Sequence, residues 1–163
     1  MEITKKIVIL GQFGVGKTSI TRRYLSDIFE KDYMPTLGVQ IKKKVIELPS
    51  GNLLSMIIWD LEGFAKVART RASYLLGSNG FIYVFDITRP FTFEHLDEEI
   101  AFIKEKYPQV VFKVVGNKKD EKDPNEIQAY LDKKNIKIDA FVSAKTGEGI
   151  QKLFTDLANT FGT

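Results

Sequence analysis

Residues 11–18 form a glycine-rich stretch whose residue types could bind phosphate. The stretch reads GQFGVGKT and fits the pattern G-x-x-x-x-G-K-[ST]. Glycines let the backbone turn so that successive N–H groups point at phosphate oxygens. Lys17 would bridge the β- and γ-phosphates of a nucleotide, and the Thr18 hydroxyl would bind Mg²⁺. The alternative, a glycine-rich turn without a ligand, is disfavoured because the apolar run Ile7–Leu10 precedes it and a helical pattern follows.

A carboxylate and a glycine follow a second apolar segment. Asp60 and Gly63 come after Leu53–Trp59 and fit the short pattern D-x-x-G. An aspartate at a strand end beside the phosphate-binding loop commonly holds Mg²⁺ in P-loop proteins. The Gly63 N–H could reach the γ-phosphate, since glycine allows close approach. The pattern alone fits a turn aspartate equally well, and its position after a strand favours the metal role.

Asn117-Lys118-Lys119-Asp120 follows a third apolar run and resembles N-K-x-D, the base-reading motif of GTPases. The Asp120 carboxylate could accept hydrogen bonds from both guanine N1–H and the 2-amino group. Adenine lacks that amino group and presents an acceptor at N1, so this carboxylate would reject it. The alternative is a solvated charged turn, which Asn117 at the end of a strand disfavours.

Strands and helices have to bring these motifs together. Val39–Leu48 and Leu53–Trp59 flank the turn sequence Pro-Ser-Gly-Asn and predict an antiparallel hairpin. Runs typical of strands buried on both faces occur at Ile7–Leu10, Phe81–Phe85 and Val110–Val115, and Ala140–Val142 predicts a last short strand. Apolar residues at helical spacing predict amphipathic helices between Phe93 and Tyr107 and between Ile150 and Phe161, and shorter helices start near Lys17, Ala68 and Asn125.

This alternation predicts an α/β fold with a mostly parallel six-stranded sheet, one antiparallel edge strand and helices on both faces. A length of 163 residues suits a single domain over residues 1–163. Ligands of such sheets bind outside the carboxyl ends of the strands. We therefore expect the loops after Leu10, Trp59, Phe85, Val115 and Val142 to meet at one site.

The motifs occur in the order found in small GTPases, and the chain resembles the Ras superfamily, nearer to its Ras and Rab branches. The resemblance implies the three-layer P-loop NTPase fold, GTP and GDP as ligands, Mg²⁺ as the metal and GTP hydrolysis. It makes N-K-x-D the base-reading motif. It makes Ser143-Ala144-Lys145 a second such motif, in which the Ala144 N–H would donate to guanine O6. It also places Phe29 against the base, Tyr33 over the γ-phosphate and Thr36 in the Mg²⁺ shell.

The implied site divides into three sets. The catalytic set is Lys17, Thr36 and Gly63, and the metal set is Thr18, Thr36 and Asp60. The GTP-binding set is Gly14, Val15, Gly16, Lys17, Thr18, Ser19, Phe29, Tyr33, Thr36, Gly63, Asn117, Lys118, Asp120, Ser143, Ala144 and Lys145.

Three residues depart from the family pattern and bear on hydrolysis. Phe13 stands where a small residue is usual, beside the γ-phosphate and the approach of an arginine finger. Phe64 stands where a glutamine orients the attacking water, and phenylalanine has no donor or acceptor for that task. Glu62 brings a carboxylate near the γ-phosphate, where like charges repel unless it points to solvent or to a lysine. We expect slow hydrolysis.

Composition limits the other function classes. The formal net charge of +3, from 24 basic and 21 acidic residues, is too balanced to indicate a nucleic-acid partner. The chain has no cysteine and no apolar run near the ~20 residues of a membrane span. We expect a cytoplasmic monomer without stable membrane insertion. The resemblance places a first switch segment at Tyr33–Gly38 and a second at Ala65–Leu76. The partners would be effectors, and exchange or GTPase-activating factors, that bind these switch segments.

Two alternatives to a cycling switch stay open at this point. One is a nearly non-hydrolysing GTP-binding module that acts as a regulated interaction scaffold. The other is a P-loop ATPase or small-molecule kinase, against which the N-K-x-D motif argues.

Overall fold

Six strands form one sheet in a computed structural model that describes residues 1–26, 38–63 and 66–162. The strands are β1 (Glu2–Gly11), β2 (Val39–Glu47), β3 (Leu53–Leu61), β4 (Gly80–Asp86), β5 (Val111–Asn117) and β6 (Ala140–Phe141). Their order is β2-β3-β1-β4-β5-β6. β2 pairs antiparallel with β3 at one edge, and every other neighbouring pair is parallel. The predicted fold class is confirmed.

Four α-helices connect these strands in the described part of the chain, and a fifth follows β6. They are α1 (Lys17–Ser26), α2 (Ala72–Leu75), α3 (Leu96–Lys106), α4 (Asn125–Lys133) and α5 (Ile150–Asn159). Short 3-10 helices lie at Val67–Arg69 and Pro90–Thr92. The helix predicted from Phe93 begins three residues later, yet Phe93 is buried in the core. An apolar residue just before a helix can pack in the same core as the helix without being helical. The spacing of apolar residues therefore predicted a start of the helix that is too early.

Two hydrophobic clusters cover the two faces of the sheet. Residues of α1 and α5 pack in one cluster, where the rings of Tyr24 and Phe154 stack 3.9 Å apart. The other cluster includes residues of α3 and α4, such as Leu96 and Leu131. β1 lies between them, and Ile7, Val8, Ile9 and Leu10 have no exposed surface. The continuous apolar run is explained by burial on both faces.

β1 begins five residues before the predicted run. Glu2 to Lys6 extend it because their backbone pairs with β3 from the Glu2–Leu53 register onward. Backbone pairing requires no apolar side chain, so hydrophobicity did not reveal this half of the strand.

Trp59 lies on β3 and is half-buried rather than fully in the core. The Lys6 ammonium lies 3.7 Å from the centre of its ring, and the ring of Tyr74 in α2 is tilted against it at 6.2 Å. The indole therefore contacts both the sheet and the short helix α2.

Candidate nucleotide-binding site

The phosphate-binding loop joins the carboxyl end of β1 to the start of α1. Three of its glycines have positive φ, with Gly11 at 145°, Gly14 at 79° and Gly16 at 101°. A side chain at position 16 would come within 2.2 Å of Asn117 Nδ2. Glycine is therefore required there both by backbone conformation and by contact with the base-reading motif.

Lys17 begins α1 and is almost fully buried in the loop. Its Nζ donates to the carbonyls of Gly11 at 3.1 Å and Gln12 at 2.9 Å. Burial lowers the pKa of the Lys17 ammonium to about 8, and the nearby Asp60 carboxylate opposes that shift. A cation with this little water around it has much to gain from an anionic ligand.

Thr18 and Asp60 meet where Mg²⁺ was predicted. Thr18 Oγ1 donates to Asp60 Oδ2 at 2.5 Å. Burial raises the pKa of Asp60, and its Oδ1 is buried without a hydrogen-bond partner in the described part of the chain. A buried carboxylate oxygen without a partner fits a cation that takes oxygen ligands. No group of three or more His, Cys, Asp or Glu surrounds it among the described residues, so phosphates and waters would complete the shell.

Asn117 is the last residue of β5 and joins three motifs. Its Nδ2 donates to Val15 O at 3.0 Å, and its Oδ1 accepts from the Ala144 N–H at 3.2 Å. One buried amide thus ties the phosphate-binding loop to both base-reading motifs. The loops that follow β1, β5 and β6 meet at one site, as predicted.

Asp120 lies near the second base-reading motif. Ser143 Oγ donates to Asp120 Oδ1 at 2.7 Å and accepts from the Thr146 N–H at 3.1 Å. Asp120 is exposed, whereas Ser143 is fully buried. The serine therefore orients a carboxylate that faces the solvent.

Arg23 of α1 holds the second base-reading motif in place. It donates to Ala144 O at 2.9 Å and to Lys145 O at 2.5 Å. Sequence reasoning missed this contact, because the two partners are 121 and 122 residues away along the chain.

The loop after β4 contributes a network that sequence reasoning also missed. We call Asp86, Lys118 and Arg89 the Asp86 network. Asp86 ends β4 with no exposed surface, and its Oδ2 lies 2.8 Å from Lys118 Nζ and 3.7 Å from Arg89 Nη1. The sequence did contain a signal for this network, namely an aspartate directly after the apolar residues of β4, at the carboxyl ends of the strands.

Gly63 and Glu62 lie between the phosphate-binding loop and Gly38. A side chain at position 63 would come within 2.2 Å of the Phe13 backbone, so Gly63 directly adjoins the loop. Phe13 itself is about half exposed. Glu62 Oε2 accepts from the Gly38 N–H at 3.3 Å, and Gly38 O accepts from the Glu62 N–H at 2.8 Å. The half-buried Glu62 carboxylate thus has a backbone amide as a partner.

The remaining predicted residues have less structural support. Ser19 lies half-buried in the first turn of α1. Phe29, Tyr33, Thr36 and Phe64 lie outside the described residues, so their roles stay predictions.

The geometry defines a P-loop nucleotide-binding protein, and comparisons with known proteins agree. The model of the Ras family matches residues 6–162. The chain is 34% identical over 160 residues to Ras-related protein Rab-18-B of Danio rerio, covering 94% of this chain and 77% of the relative. It is 30% identical over 159 residues to Ras-related protein Rab-1 of Theileria annulata, covering 94% and 72%. Ras-related protein Rab-7b of Mus musculus is 36% identical over 129 residues, which are 75% of this chain and 63% of the relative.

The chain belongs to the Ras family and is Rab-like. It is a GTP-binding molecular switch and a GTP hydrolase, which uses GTP, GDP and Mg²⁺. The alternative of a scarcely hydrolysing scaffold is not favoured. Proteins of this family act through effectors, exchange factors and activating proteins. In the described residues, no helix is long and apolar enough to cross a membrane.

Proposed function

We propose that this protein is a slow GTPase switch whose nucleotide lies across the loops that follow β1, β3, β5 and β6. The observation that supports this proposal best is the pair of Asn117 hydrogen bonds, which link the phosphate side of the site to the base side. In this proposal, Asp120 and Ala144 read the guanine, and Lys118 lies along the nucleotide. Gly14, Val15, Gly16, Lys17, Thr18 and Ser19 hold the phosphates.

Thr18 and Asp60 hold Mg²⁺ in this proposal, with Thr36 joining them in the GTP state. The ion supplies charge that offsets the negative charge on the phosphate oxygens. Lys17 adds its ammonium to the β- and γ-phosphates. The Gly63 N–H donates to the γ-phosphate, so the phosphate's presence fixes the position of the second switch.

Hydrolysis is slow in this proposal because Phe64 has no group to orient the attacking water. Phosphoryl transfer in this class depends on positioning and charge stabilisation, and Ras alone hydrolyses GTP at an order of 10⁻⁴ s⁻¹. We expect a rate at or below that order. Phe13 hinders a partner's arginine from reaching the γ-phosphate. Glu62 already has a hydrogen-bonded place on Gly38, which disfavours it as a substitute for the glutamine.

The finer partner assignments are part of the same proposal. A monomer acts in the cytoplasm, where GTP and Mg²⁺ are abundant, and binds proteins through its switch segments. Nucleic acid is not a partner, since the charge is balanced. Lys42 and Lys43 are exposed on the edge strand β2, where lysines discourage pairing with other sheets.

Single-turnover GTP hydrolysis tests the proposed mechanism. The variants are Phe64→Gln, Phe13→Gly and Glu62→Ala, each compared with wild type. We expect Phe64→Gln to hydrolyse faster than wild type, by about tenfold or more, since the orienting group is restored. Phe13→Gly should respond to an activating arginine better than wild type does. A fast wild type that Glu62→Ala slows would show that Glu62 is the catalytic group and that the proposal is wrong.

A further inference from the structure

Arg89 reaches from the loop after β4 to the backbone of the phosphate-binding loop. Its Nη1 donates to Gly14 O at 3.0 Å and its Nη2 to Phe13 O at 3.2 Å. These contacts join segments 75 and 76 residues apart in the chain. Hydrogen bonds from a charged donor are stronger than neutral ones, and a guanidinium fork is suited to two neighbouring acceptors.

Two neighbours hold the guanidinium in this position. Asp86 Oδ2 lies 3.7 Å from Nη1, and the Arg89 guanidinium carbon lies 4.7 Å from the centre of the Phe91 ring. Asp86 has no exposed surface, so its position is fixed by the core. Gly14 leaves room for the contact, because a Cβ at that position would come within 2.8 Å of Nη1.

The bonded carbonyls determine where the next amides point. In a planar trans peptide the C=O and the following N–H point in opposite directions, and the described residues have no cis peptide. Arg89 holds the carbonyls of Phe13 and Gly14 on its own side. The N–H groups of Gly14 and Val15 therefore point away from Arg89.

We propose that Arg89 is a positioning residue that orients the Gly14 and Val15 amides toward the nucleotide phosphates before the nucleotide binds. This inference rests on the proposed phosphate-binding role of residues 14–19. Amides that are already oriented lose less freedom on binding, so the nucleotide binds more tightly. This gain in affinity depends on the phosphates of the nucleotide and not on its base.

Comparing a ligand with phosphates to one without them separates this role from general stabilisation. GDP and guanosine are titrated, in competition with a fluorescent GDP analogue, against wild type, Arg89→Ala and Arg89→Lys. Lys104→Ala is the matched control, since it removes an exposed cation from α3. Arg89→Ala should weaken GDP about tenfold and leave guanosine within about twofold. Arg89→Lys should lie between, because an ammonium lacks the planar fork. Lys104→Ala should match wild type.

A loss of guanosine affinity equal to the loss of GDP affinity would mean that Arg89 only stabilises the fold, and would overturn the inference. Unchanged GDP affinity in Arg89→Ala would overturn it as well. Lys17→Ala is measured in parallel to separate this failure from that of the proposed site. If Lys17→Ala weakens GDP and Arg89→Ala does not, only the role of Arg89 is wrong. If Lys17→Ala leaves GDP affinity unchanged, the proposed phosphate site is wrong.

Discussion

Lys17 lies where water has little access, and its ammonium depends on protein oxygens for solvation. The carbonyls of Gly11 and Gln12 accept hydrogen bonds from the ammonium and replace part of its solvation. Burial nevertheless lowers the pKa of Lys17 to about 8. Nucleotide phosphates would stabilise the charged form and raise the pKa in the complex. The protonation of one side chain is therefore coupled to binding.

This coupling predicts that GDP affinity depends on pH above about 8. Below that pH Lys17 is already charged, and the affinity is not affected by this group. Above it, binding requires the uptake of a proton, so the affinity should fall by up to tenfold per pH unit. Calorimetric titrations at pH 9 in two buffers of different ionisation enthalpy should give close to one proton taken up per GDP, and close to none at pH 7.

Lys17→Arg is the control for this prediction, because a guanidinium stays charged throughout the range. It should take up close to one proton fewer per GDP than wild type does at pH 9. Equal uptake by Lys17→Arg and wild type would assign the proton to another group.

At the scale of elements, the second switch is attached to α3 by one buried carboxylate. Glu99 of α3 is 9% exposed, and its Oε2 accepts from the Val67 N–H at 2.8 Å, where a 3-10 helix begins. Burial raises the pKa of Glu99, and the hydrogen bond from Val67 opposes that shift. A single acceptor thus fixes the start of the 3-10 helix that follows Gly63.

Removing this acceptor should loosen the 3-10 helix and destabilise the fold. Glu99→Ala leaves the Val67 N–H buried without a partner, which costs about 1–3 kcal/mol. Glu99→Gln keeps an acceptor and should cost less. Urea unfolding gives the stability, and hydrogen exchange at Val67 should be faster in Glu99→Ala than in wild type.

Glu98→Ala provides the comparison for Glu99, since its side chain is exposed on the same helix. Its free energy of unfolding should stay within about 0.5 kcal/mol of wild type. If Glu99→Ala were as stable as Glu98→Ala, the hydrogen bond to Val67 would not hold the switch.

At the scale of the whole molecule, ligand binding and folding are linked, because the site is assembled from loops after five strands. A nucleotide that binds only the folded state adds about 4 kcal/mol at 1,000 times its Kd. For a chain of this size we expect Mg²⁺ and GDP to raise the Tm by roughly 8–16 °C. EDTA should remove most of that rise, because it would take away the Mg²⁺ that Asp60 and Thr18 would hold. ATP should give none, and a rise with ATP equal to that with GDP would contradict guanine selection.

Most of the sheet and the grouping of the motifs could be predicted from the sequence. Buried strands such as Phe81–Phe85 are visible in the sequence as apolar runs. Because parallel strands end on the same side of the sheet, Asp60 and Asn117 both lie at the carboxyl ends of the strands. Such motifs can be recognised from their spacing in the sequence, because each is made by consecutive residues on one turn.

The supporting contacts could not be predicted in the same way. Arg23 and Arg89 donate to backbone carbonyls, which every residue carries and no sequence pattern marks. From the sequence, Glu99 is expected on the polar surface of a helix. Only the structure shows that its carboxylate accepts a hydrogen bond from the Val67 N–H. Such contacts depend on which loops lie side by side, and that arrangement emerges only in three dimensions.

The position of Trp59 has a photophysical consequence. It is the chain's single indole, so emission excited beyond the tyrosine band comes from one place. That place lies between the Lys6 ammonium and the Tyr74 ring of α2. The electric field of a cation over an indole shifts its emission, and a departing neighbour changes both the field and the polarity around it. The intrinsic fluorescence of the unlabelled protein therefore reports whether α2 stays packed against the sheet.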